Sequence, residues 1–324
     1  MLRSSLPPPC LVVVMPCYNE EDVLPHTFKV MSALLARWVE TGLVAPSSHL
    51  LCVDDGSRDK TWPLISTMSA ETPCIRGLKL SRNCGHQNAL LAGLTSATDG
   101  QVIVSLDADL QDDPEVIGAM LAAWREGHDV VYGARNDRKS DTAFKRGTAN
   151  LFYRIMLAMG VNIVPNHADF RLLDRKALDA LLSYDERNLF LRGLVPLIGF
   201  SSKVVYYARA ERFAGESKYP LHRMIGLAVQ GVTSLSITPL RMIAACGLII
   251  SVLSVVGILY VLLSKLTGHV VMGWTSMAIA IFFMGGVQML SLGIIGEYIG
   301  KIYLETKNRP RFHIEAKAGT PWSD

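Results

Sequence analysis

Two carboxylates separated by one residue, Asp107 and Asp109, directly follow the apolar run Gln101–Leu106. The length and the β-branched content of this run predict a buried strand, so both acids should lie at its carboxyl end, where open α/β sheets bind ligands. Carboxylate oxygens suit Mg²⁺ or Mn²⁺, and Mg²⁺ usually binds one or two carboxylates together with substrate phosphates. The spacing therefore indicates a metal and diphosphate site, with a pair of solvated loop acids as the alternative.

The segments around this run alternate between strand and helix patterns. Glu21–Thr41 carries apolar residues at helical spacing, and helical stretches also follow the next predicted strands. Pro16 is expected to end the first strand. The alternation predicts an α/β fold with a mostly parallel sheet covered by helices on both faces. The predicted strands are Leu11–Met15, His49–Val53, Ile75–Leu80, Gln101–Leu106 and Val130–Gly133.

Four of the predicted strands end in polar loops. The carboxyl ends of parallel strands lie at one edge of a sheet, so these loops are expected to converge on one pocket. This regularity favours a binding site over solvated acids. The first loop contains no glycine, which argues against a dinucleotide fingerprint, and the P-loop pattern is absent as well. The loops are Pro16–Glu21, Asp54–Ser57, Ser81–Asn83 and Asp107–Asp109.

Apolar residues concentrate near the C-terminus. Half of the 324 residues are hydrophobic, and the mean hydropathy is +0.27. Met242–Ser264 and Leu266–Gly296 contain no charged residue, and each exceeds the roughly 20 residues that cross a bilayer. A hairpin of two membrane spans, at about residues 242–264 and 272–296, is therefore predicted. Basic residues flank the hairpin on both sides, so the positive-inside rule places both flanks and the N-terminal domain in the cytoplasm.

Other features narrow the class of protein. The first apolar run is too short for a signal peptide, and the six cysteines show no metal-ligand spacing. A net charge of +3 is too small to indicate nucleic-acid binding. Residues 219–240 are predicted as amphipathic helices at the membrane surface, with a core helix as the alternative. The predicted order is a cytoplasmic catalytic domain (1–218), juxtamembrane helices (219–240), a membrane hairpin (241–300) and a cytoplasmic tail (301–324).

Four motifs, taken in order along the chain, resemble those of the family 2 glycosyltransferases with a GT-A fold, and two further motifs near the predicted hairpin support a narrower family. The narrower resemblance is to the polyisoprenyl-phosphate glycosyltransferases, which include dolichol-phosphate mannose synthase and the bactoprenol glucosyltransferases. The resemblance covers nearly the whole chain apart from its two ends, and the ordered set is specific where one motif would be weak. The motifs are Val14–Glu21, Val53–Ser57, Arg82–Gly85, Asp107–Gln111, Glu211–Tyr219 and Gly296–Lys301.

The resemblance implies a donor site for a nucleotide sugar. For Asp54 and Asp55, side-chain capping of the turn is the alternative. The metal, Mg²⁺ or Mn²⁺, would be held by Asp107, Asp109 and Gln111, with Asp109 as the first choice for a direct ligand. The residues implied in donor binding are Pro16, Tyr18, Glu20, Asp54, Asp55, Arg82, Asp107, Ala108, Asp109 and Gln111.

The resemblance also implies residues that act on phosphates and on the acceptor. Asp169 matches the position usually discussed as the catalytic base. A lipid monophosphate has a second pKa near ~6, so we expect Asp169 to position the substrates rather than to remove a proton. His86 and His167 receive no role, because a lone histidine more often completes a local hydrogen-bond network. The residues implied in phosphate or acceptor binding are Arg135, Arg146, Arg212, Ser217 and Lys218, with a solvated basic face as the alternative for Arg135 and Arg146.

The expected reaction is an inverting, metal-dependent transfer of a hexose to undecaprenyl phosphate or another polyprenyl phosphate. UDP-glucose is the preferred donor; a UDP-aminoarabinose derivative, GDP-mannose and a UDP-N-acetylhexosamine are the alternatives. The enzyme is expected as a homo-oligomer, a tetramer by resemblance, in the cell inner membrane with both termini cytoplasmic. A processive polysaccharide synthase is disfavoured, because the chain lacks Q-x-x-R-W. A membrane-tethered scaffold that binds a nucleotide sugar without turnover is the rival from another class.

Overall fold

The computed structural model describes residues 3, 5–135, 167–187, 189–207, 232–233, 236–267, 273–319 and 322. The chain divides into two compact units. The first contains Met1–Tyr153, Asn162–Pro220 and Arg309–Asp324, and the second contains Arg154–Val161 and Leu221–Asn308. The first unit therefore includes the C-terminal segment, which follows the second unit along the chain.

A mixed sheet of eight strands forms the centre of the first unit. The strands are β1 (Leu11–Cys17), β2 (His49–Asp54), β3 (Ile75–Leu80), β4 (Val102–Ser105), β5 (Val130–Arg135), β6 (His167–Asp174), β7 (Ser202–Tyr207) and β8 (Ile314–Ala318). Their order across the sheet is β7-β5-β6-β4-β1-β2-β3-β8. The pairs β1·β2, β1·β4, β2·β3 and β5·β7 are parallel, whereas β6 and β8 run antiparallel to their neighbours. The predicted α/β fold with a mostly parallel sheet is confirmed.

Helices of the first unit connect these strands. In the first helix, Leu24, Phe28, Met31 and Leu35 recur at intervals of three and four residues, and all four are buried in the core. Burial of such an apolar face stabilises a helix more than intrinsic propensity does. The helices described in this unit are α1 (Leu24–Glu40), α2 (Thr61–Glu71), α3 (His86–Ser96), α4 (Val116–Arg125), α5 (Arg175–Leu182) and α6 (Leu191–Leu197).

Pro16 does not end the first strand, so that prediction was wrong. Strand β1 continues to Cys17, and Pro16 pairs with Val53 of β2. On the other side, β1 pairs with β4 only as far as Val14. Because that pairing stops before Pro16, the missing N–H of the proline leaves no ladder hydrogen bond unmade there.

Strand β6 enters the sheet antiparallel, and this direction brings Asp169 to the ligand edge. Ser105, the last residue of β4, pairs with Arg171 of β6. The residues of β6 that precede Arg171 therefore lie beyond the carboxyl end of β4, the same end from which Asp107 follows. The hydroxyl of Ser105 also donates to the backbone carbonyl of Asp169. An antiparallel neighbour thus contributes its amino end to the edge where the parallel strands contribute their carboxyl ends.

The C-terminal segment returns to the sheet as β8. It pairs with β3 between Gly77 and Leu80, and the Lys79 Nζ atom lies 3.0 Å from a carboxylate oxygen of Glu315. The backbone N–H of Ser81 donates to the carbonyl of His313 at 3.0 Å. The predicted tail therefore contains a strand that covers the outer edge of β3, directly before the loop that follows β3.

The second unit contains two long apolar helices, α7 (Thr238–Leu266) and α8 (Trp274–Lys307). Over the described residues, one helix is long and apolar enough to cross a membrane, in the window Thr238–Gly257, and none of that window is buried. The hydroxyl of Tyr298 donates to the carbonyl of Ser236 at 2.6 Å. The start of α7 and the C-terminal part of α8 therefore lie together, as in a hairpin, and α8 runs past the predicted end of the second span.

Candidate active site

Hydrogen bonds join the loop after β1 (residues 18–23, the β1 loop) to the loop after β2 (residues 55–60, the β2 loop). The backbone N–H of Asn19 donates to Ser57 Oγ at 3.0 Å, and the N–H of Arg58 donates to Asn19 Oδ1 at 2.9 Å. Asn19 has a φ of 55°, a left-handed conformation that asparagine tolerates better than most residues. The first two predicted loops therefore do meet at the carboxyl edge of the sheet.

Asp55 joins the β2 loop to the loop after β3 (residues 81–85, the β3 loop). Its Oδ1 atom accepts the backbone N–H of Cys84 at 2.7 Å, and its Oδ2 atom accepts that of Gly85 at 2.9 Å. Burial raises the pKa of Asp55, and these two hydrogen bonds oppose that rise. Asp55 thus orders the predicted nucleotide pocket by holding two of its loops together.

The other residues expected to bind the donor differ in exposure. Asp54 is fully buried, and its Oδ1 atom accepts the N–H of Ser57 at 3.1 Å, which is the turn-capping arrangement considered as the alternative. Tyr18 is 42% exposed, and Arg82 is also exposed, so both can reach a ligand. Pro16 and Glu20, which flank Tyr18 in the chain, are partly buried.

The acid pair lies in a loop that packs against α1. The carbonyl of Ala108 accepts the hydroxyl of Thr27 at 2.6 Å. The side-chain amide of Gln111, itself buried, donates to Asp109 Oδ2, and the Gln111 backbone N–H donates to Asp109 Oδ1 at 3.3 Å. Gln111 therefore orients Asp109, while the side chain of Asp107 remains 42% exposed.

Negative charge accumulates around Asp107. Partial desolvation by the surrounding protein raises its pKa to about 6, the carboxylates of Asp169, Asp109 and Asp112 act in the same direction, and His86 acts against it. No cluster of three His, Cys, Asp or Glu side chains suited to a metal occurs in the part of the chain that the structure describes. Two carboxylates that repel each other nevertheless fit a Mg²⁺ or Mn²⁺ ion whose other ligands are phosphates and water.

Two arginines and a histidine surround Asp169. Buried Arg171 donates to its Oδ1 atom, and Arg192 donates to both oxygens, at 3.2 Å from Nε to Oδ1 and 3.0 Å from Nη2 to Oδ2. The Nε2 atom of His86 lies 3.4 Å from Asp169 Oδ2 and 3.8 Å from Asp107 Oδ1. Burial would raise the pKa of Asp169, but His86 and the two arginines outweigh it and hold that pKa well below its usual value.

His86, Arg171 and Arg192 were missed as functional candidates in the sequence. One signal for Arg171 was available, because side chains two residues apart on a strand share a face, and Arg171 follows Asp169 at that spacing. His86 is the first residue of α3, directly after Gly85. Nothing in its local pattern shows that β6 and α6 bring Asp169 and Arg192 to it.

Arg135 contacts a buried acid. Its Nε and Nη2 atoms lie 2.9 and 2.8 Å from Asp112 Oδ1, and Asp112 is 1% exposed. The Arg135 side chain is 30% exposed, so the structure shows an ion pair where a phosphate contact was predicted. The predicted phosphate-binding residues Arg146, Arg212, Ser217 and Lys218 lie outside the described residues.

Two family models match the chain. The model of glycosyl transferase family 2 matches residues 12–182, which include every described loop of the site. The model named GtrB C-terminal hairpin matches residues 238–302, the segment that contains α7 and most of α8.

Relatives match over nearly the full length. A Bacillus subtilis protein named uncharacterized glycosyltransferase YkoT is 47% identical over 95% of this chain and 91% of its own. The prophage bactoprenol glucosyl transferase homolog of Escherichia coli is 37% identical over 94% of this chain and 97% of its own. The bactoprenol glucosyl transferase of Shigella phage SfX is 37% identical over 94% of this chain and 98% of its own. The sheet is of the GT-A type, its polar loops meet at one edge, and the family models and relatives match most of the sequence. The chain therefore belongs to glycosyltransferase family 2, in its polyisoprenyl-phosphate branch, and is a glycosyltransferase.

Proposed function

We propose that the protein transfers glucose from UDP-glucose to a polyprenyl phosphate at the cytoplasmic face of a membrane. One observation carries the proposal: the acid pair and the Asp169 cluster lie together at the edge where the β1, β2 and β3 loops meet. Relatives named bactoprenol glucosyl transferases support glucose as the sugar and a polyprenyl chain as the acceptor.

The donor nucleotide would bind on the β1, β2 and β3 loops. Exposed Tyr18 offers an aromatic face to the base, and Glu20 offers an acceptor for ribose hydroxyls. Asp55 supports the pocket by holding Cys84 and Gly85 in place.

The donor diphosphate would lie beside Asp107 and Asp109. These two carboxylates would hold a divalent metal, and such an ion neutralises charge that develops on a departing diphosphate. The raised pKa of Asp107 supports this assignment, because a bound cation would stabilise the ionised carboxylate that desolvation and the neighbouring carboxylates disfavour.

The transfer requires no protein side chain as a base, because the acceptor phosphate is already ionised. An oxygen of the acceptor phosphate, mostly a dianion above its second pKa of about 6, attacks the anomeric carbon of the glucose. The bond from that carbon to the diphosphate breaks, and its electron pair leaves with UDP. The products are a glucosyl phosphodiester of the lipid and UDP, with the configuration inverted. Asp169 fits this scheme because its low pKa makes it a poor proton acceptor.

Helices α7 and α8 would hold the enzyme at the membrane. Their large apolar side chains are exposed, and a bilayer would cover them. The contact of Tyr298 with Ser236 supports a hairpin whose two flanks lie on one side, which we assign to the cytoplasm from the flanking basic residues.

A donor panel tests the proposal. Purified full-length protein is incubated with undecaprenyl phosphate, Mn²⁺ or Mg²⁺, and radiolabelled UDP-glucose, UDP-N-acetylglucosamine, UDP-aminoarabinose derivative or GDP-mannose. Labelled lipid from UDP-glucose is expected. Labelled lipid from another donor alone would correct the sugar, and no labelled lipid from any donor would leave the scaffold hypothesis standing.

Replacement of Asp109 tests the metal assignment. Asp109→Asn is expected to lower turnover roughly 100-fold or more, because it removes a carboxylate charge that would hold the metal and, through the metal, the diphosphate. EDTA should abolish wild-type turnover, and added Mn²⁺ should restore it. Asp179→Asn is the matched control, since Asp179 is exposed on α5, which starts at the opposite end of β6 from Asp169. Full metal-dependent turnover in the Asp109 variant would contradict the assignment.

A further inference from the structure

Arg192 stands out because it is both held in place and accessible. It contacts Asp169 through two N–H groups, and its side chain is 43% exposed. Arg171, the other arginine on the same carboxylate, is only 3% exposed. A ligand at this edge can therefore reach Arg192, whereas Arg171 acts from within the core.

The cluster contains one carboxylate and two guanidinium groups. Buried Arg171 compensates the single negative charge of Asp169. Arg192 adds a second positive charge, which Asp169 orients through two hydrogen bonds. The Nε2 atom of His86 lies 3.4 Å from Asp169 Oδ2 and 3.8 Å from Asp107 Oδ1, so the Asp169 cluster adjoins the acid pair. The site thus combines acids suited to a metal and diphosphate, at Asp107 and Asp109, with an accessible arginine at Arg192.

The backbone that carries Arg192 is fixed from two directions. Arg192 is the second residue of α6, whose first residue, Leu191, donates its N–H to Gln87 Oε1 at 3.0 Å. The carbonyl of Leu191 accepts from Arg171 Nη1 at 3.3 Å. Helix α6 is therefore attached to α3 through Gln87 and to β6 through Arg171. A side chain held this way loses little conformational entropy when it binds a ligand.

We propose that Arg192 binds the phosphate of the lipid acceptor and that Asp169 is a positioning residue that acts through Arg192. The inference rests on the proposed function, because it assigns the acceptor within that site. The guanidinium edge suits a phosphate oxygen pair, and two of its N–H groups are already directed by Asp169. The acceptor phosphate is mostly a dianion, so it favours the Arg192 guanidinium over the acid pair. In this scheme Asp169 matters because it aims Arg192, and no proton moves to it.

Binding without a donor tests Arg192 directly. The probe is farnesyl phosphate, a short isoprenyl phosphate, titrated calorimetrically into the full-length protein in detergent micelles, with UDP plus Mn²⁺ titrated in parallel. Arg192→Gln is expected to weaken farnesyl phosphate binding about 10- to 100-fold, the range for a lost hydrogen bond to a charged group, and to leave UDP affinity within about twofold. Arg37→Gln is the matched control, because Arg37 forms an exposed ion pair with Glu115 outside the cluster.

Two outcomes would overturn the assignment: unchanged farnesyl phosphate affinity, or an equal loss of UDP affinity, which would place Arg192 on the donor diphosphate. If Arg192→Gln does not fold, Arg192→Lys keeps the charge and removes the two-pronged contact. It should weaken farnesyl phosphate binding about 3- to 10-fold, and wild-type affinity in that variant counts against the proposal.

A double-mutant cycle tests the role of Asp169. Asp169→Asn, Arg192→Gln and the double variant are compared by kcat and by KM for undecaprenyl phosphate. If Asp169 acts through Arg192, each single variant raises this KM. The KM of the double variant should then be no higher than that of the more impaired single variant. Multiplicative losses, or a loss confined to kcat at low pH in Asp169→Asn, would assign Asp169 an independent role.

The two proposals fail separately. Wild-type protein that makes no labelled lipid with any donor defeats the proposed function, while the farnesyl phosphate titrations still decide the role of Arg192. Active wild-type protein with unchanged binding in Arg192→Gln defeats only the inference.

Discussion

Asp169 shows how neighbouring residues decide the chemistry of one carboxylate. A group with a pKa well below its usual range stays ionised at neutral pH and binds protons weakly. The same residue beside one uncharged partner would have been a credible base. Its two arginines and His86 make it a fixed anion instead, and a fixed anion directs cations.

Asp129 provides a test of pH-dependent stability outside the active site. Its carboxylate is 8% exposed and contacts Arg3, Lys176 Nζ at 2.8 Å and Ser201 Oγ at 3.0 Å. Burial would raise its pKa, but these three partners lower it overall. A lowered folded-state pKa gives stability that is present above the unfolded pKa of about 3.9 and is lost as the pH falls through the folded value.

Asp129→Asn is therefore expected to lower the free energy of unfolding by about 1–3 kcal/mol at pH 7. The difference from wild type should shrink below about pH 4. Thermal unfolding in detergent across a pH series measures it. Asp179→Asn, which removes an exposed pair with Arg175, should change stability by less than about 1 kcal/mol. A pH-independent deficit in the Asp129 variant would contradict the linkage.

At the level of elements, the site depends on loops that approach each other closely. Gly56 has a φ of +66°, and a Cβ atom added there would lie 2.5 Å from the carbonyl carbon of Arg82 and 2.6 Å from the nitrogen of Asn83. Only glycine allows the β2 and β3 loops to meet at this distance. The close approach also keeps Asp55 within reach of the Cys84 and Gly85 N–H groups.

Gly56→Ala is expected to separate the two loops and to weaken UDP binding at least about tenfold, since Asp55 can no longer hold both. Calorimetric titration of UDP with Mn²⁺ measures the loss. Gly42→Ala is the matched control, because Gly42 has a φ of +68° and nothing within 4 Å of an added Cβ. That variant isolates the cost of the left-handed conformation, about 1 kcal/mol, and should bind UDP normally. Normal UDP binding in Gly56→Ala would show that the loop contact does not shape the pocket.

At the level of the whole molecule, the two units have different surfaces. The first unit buries its large apolar residues around the sheet, whereas α7 and α8 expose theirs, for example Leu253 at 64%, Val256 at 58% and Phe283 at 63%. Many exposed large apolar side chains on two helices indicate a membrane or protein interface. Its location in the segment matched by the hairpin model favours the membrane.

Two arginines on one face of α7 test that interpretation. The double variant Val252→Arg, Val256→Arg should contain at most about half the wild-type fraction of protein that resists alkaline carbonate extraction. Each arginine costs roughly 2.5–3.5 kcal/mol at the centre of a membrane helix. Leu6→Arg, at a half-exposed position of the first unit, should leave extraction unchanged. Equal resistance in the α7 variant and in wild type would argue that α7 does not lie within the bilayer.

Much of the architecture was predictable from local pattern. The first five strands, the helices between them and the polar loops at the strand ends follow from periodicity, turn residues and charge, which act over a few neighbouring residues. The acid pair at 107 and 109 and the family motifs were visible for the same reason. The course of β1 through Pro16 was not, because it depends on where the pairing of β4 stops.

The α/β class, the acid pair at the end of a strand, the apolar C-terminal helices and the family were all evident from the amino-acid sequence. Three features became evident only in the folded chain: β6 runs antiparallel, β8 returns to β3, and Asp169 contacts His86, Arg171 and Arg192. Such contacts join residues far apart in the chain, as with Lys79 and Glu315, which are 236 positions apart. Local periodicity carries no record of which distant partner a side chain meets, since that pairing is set by the packing of the whole sheet.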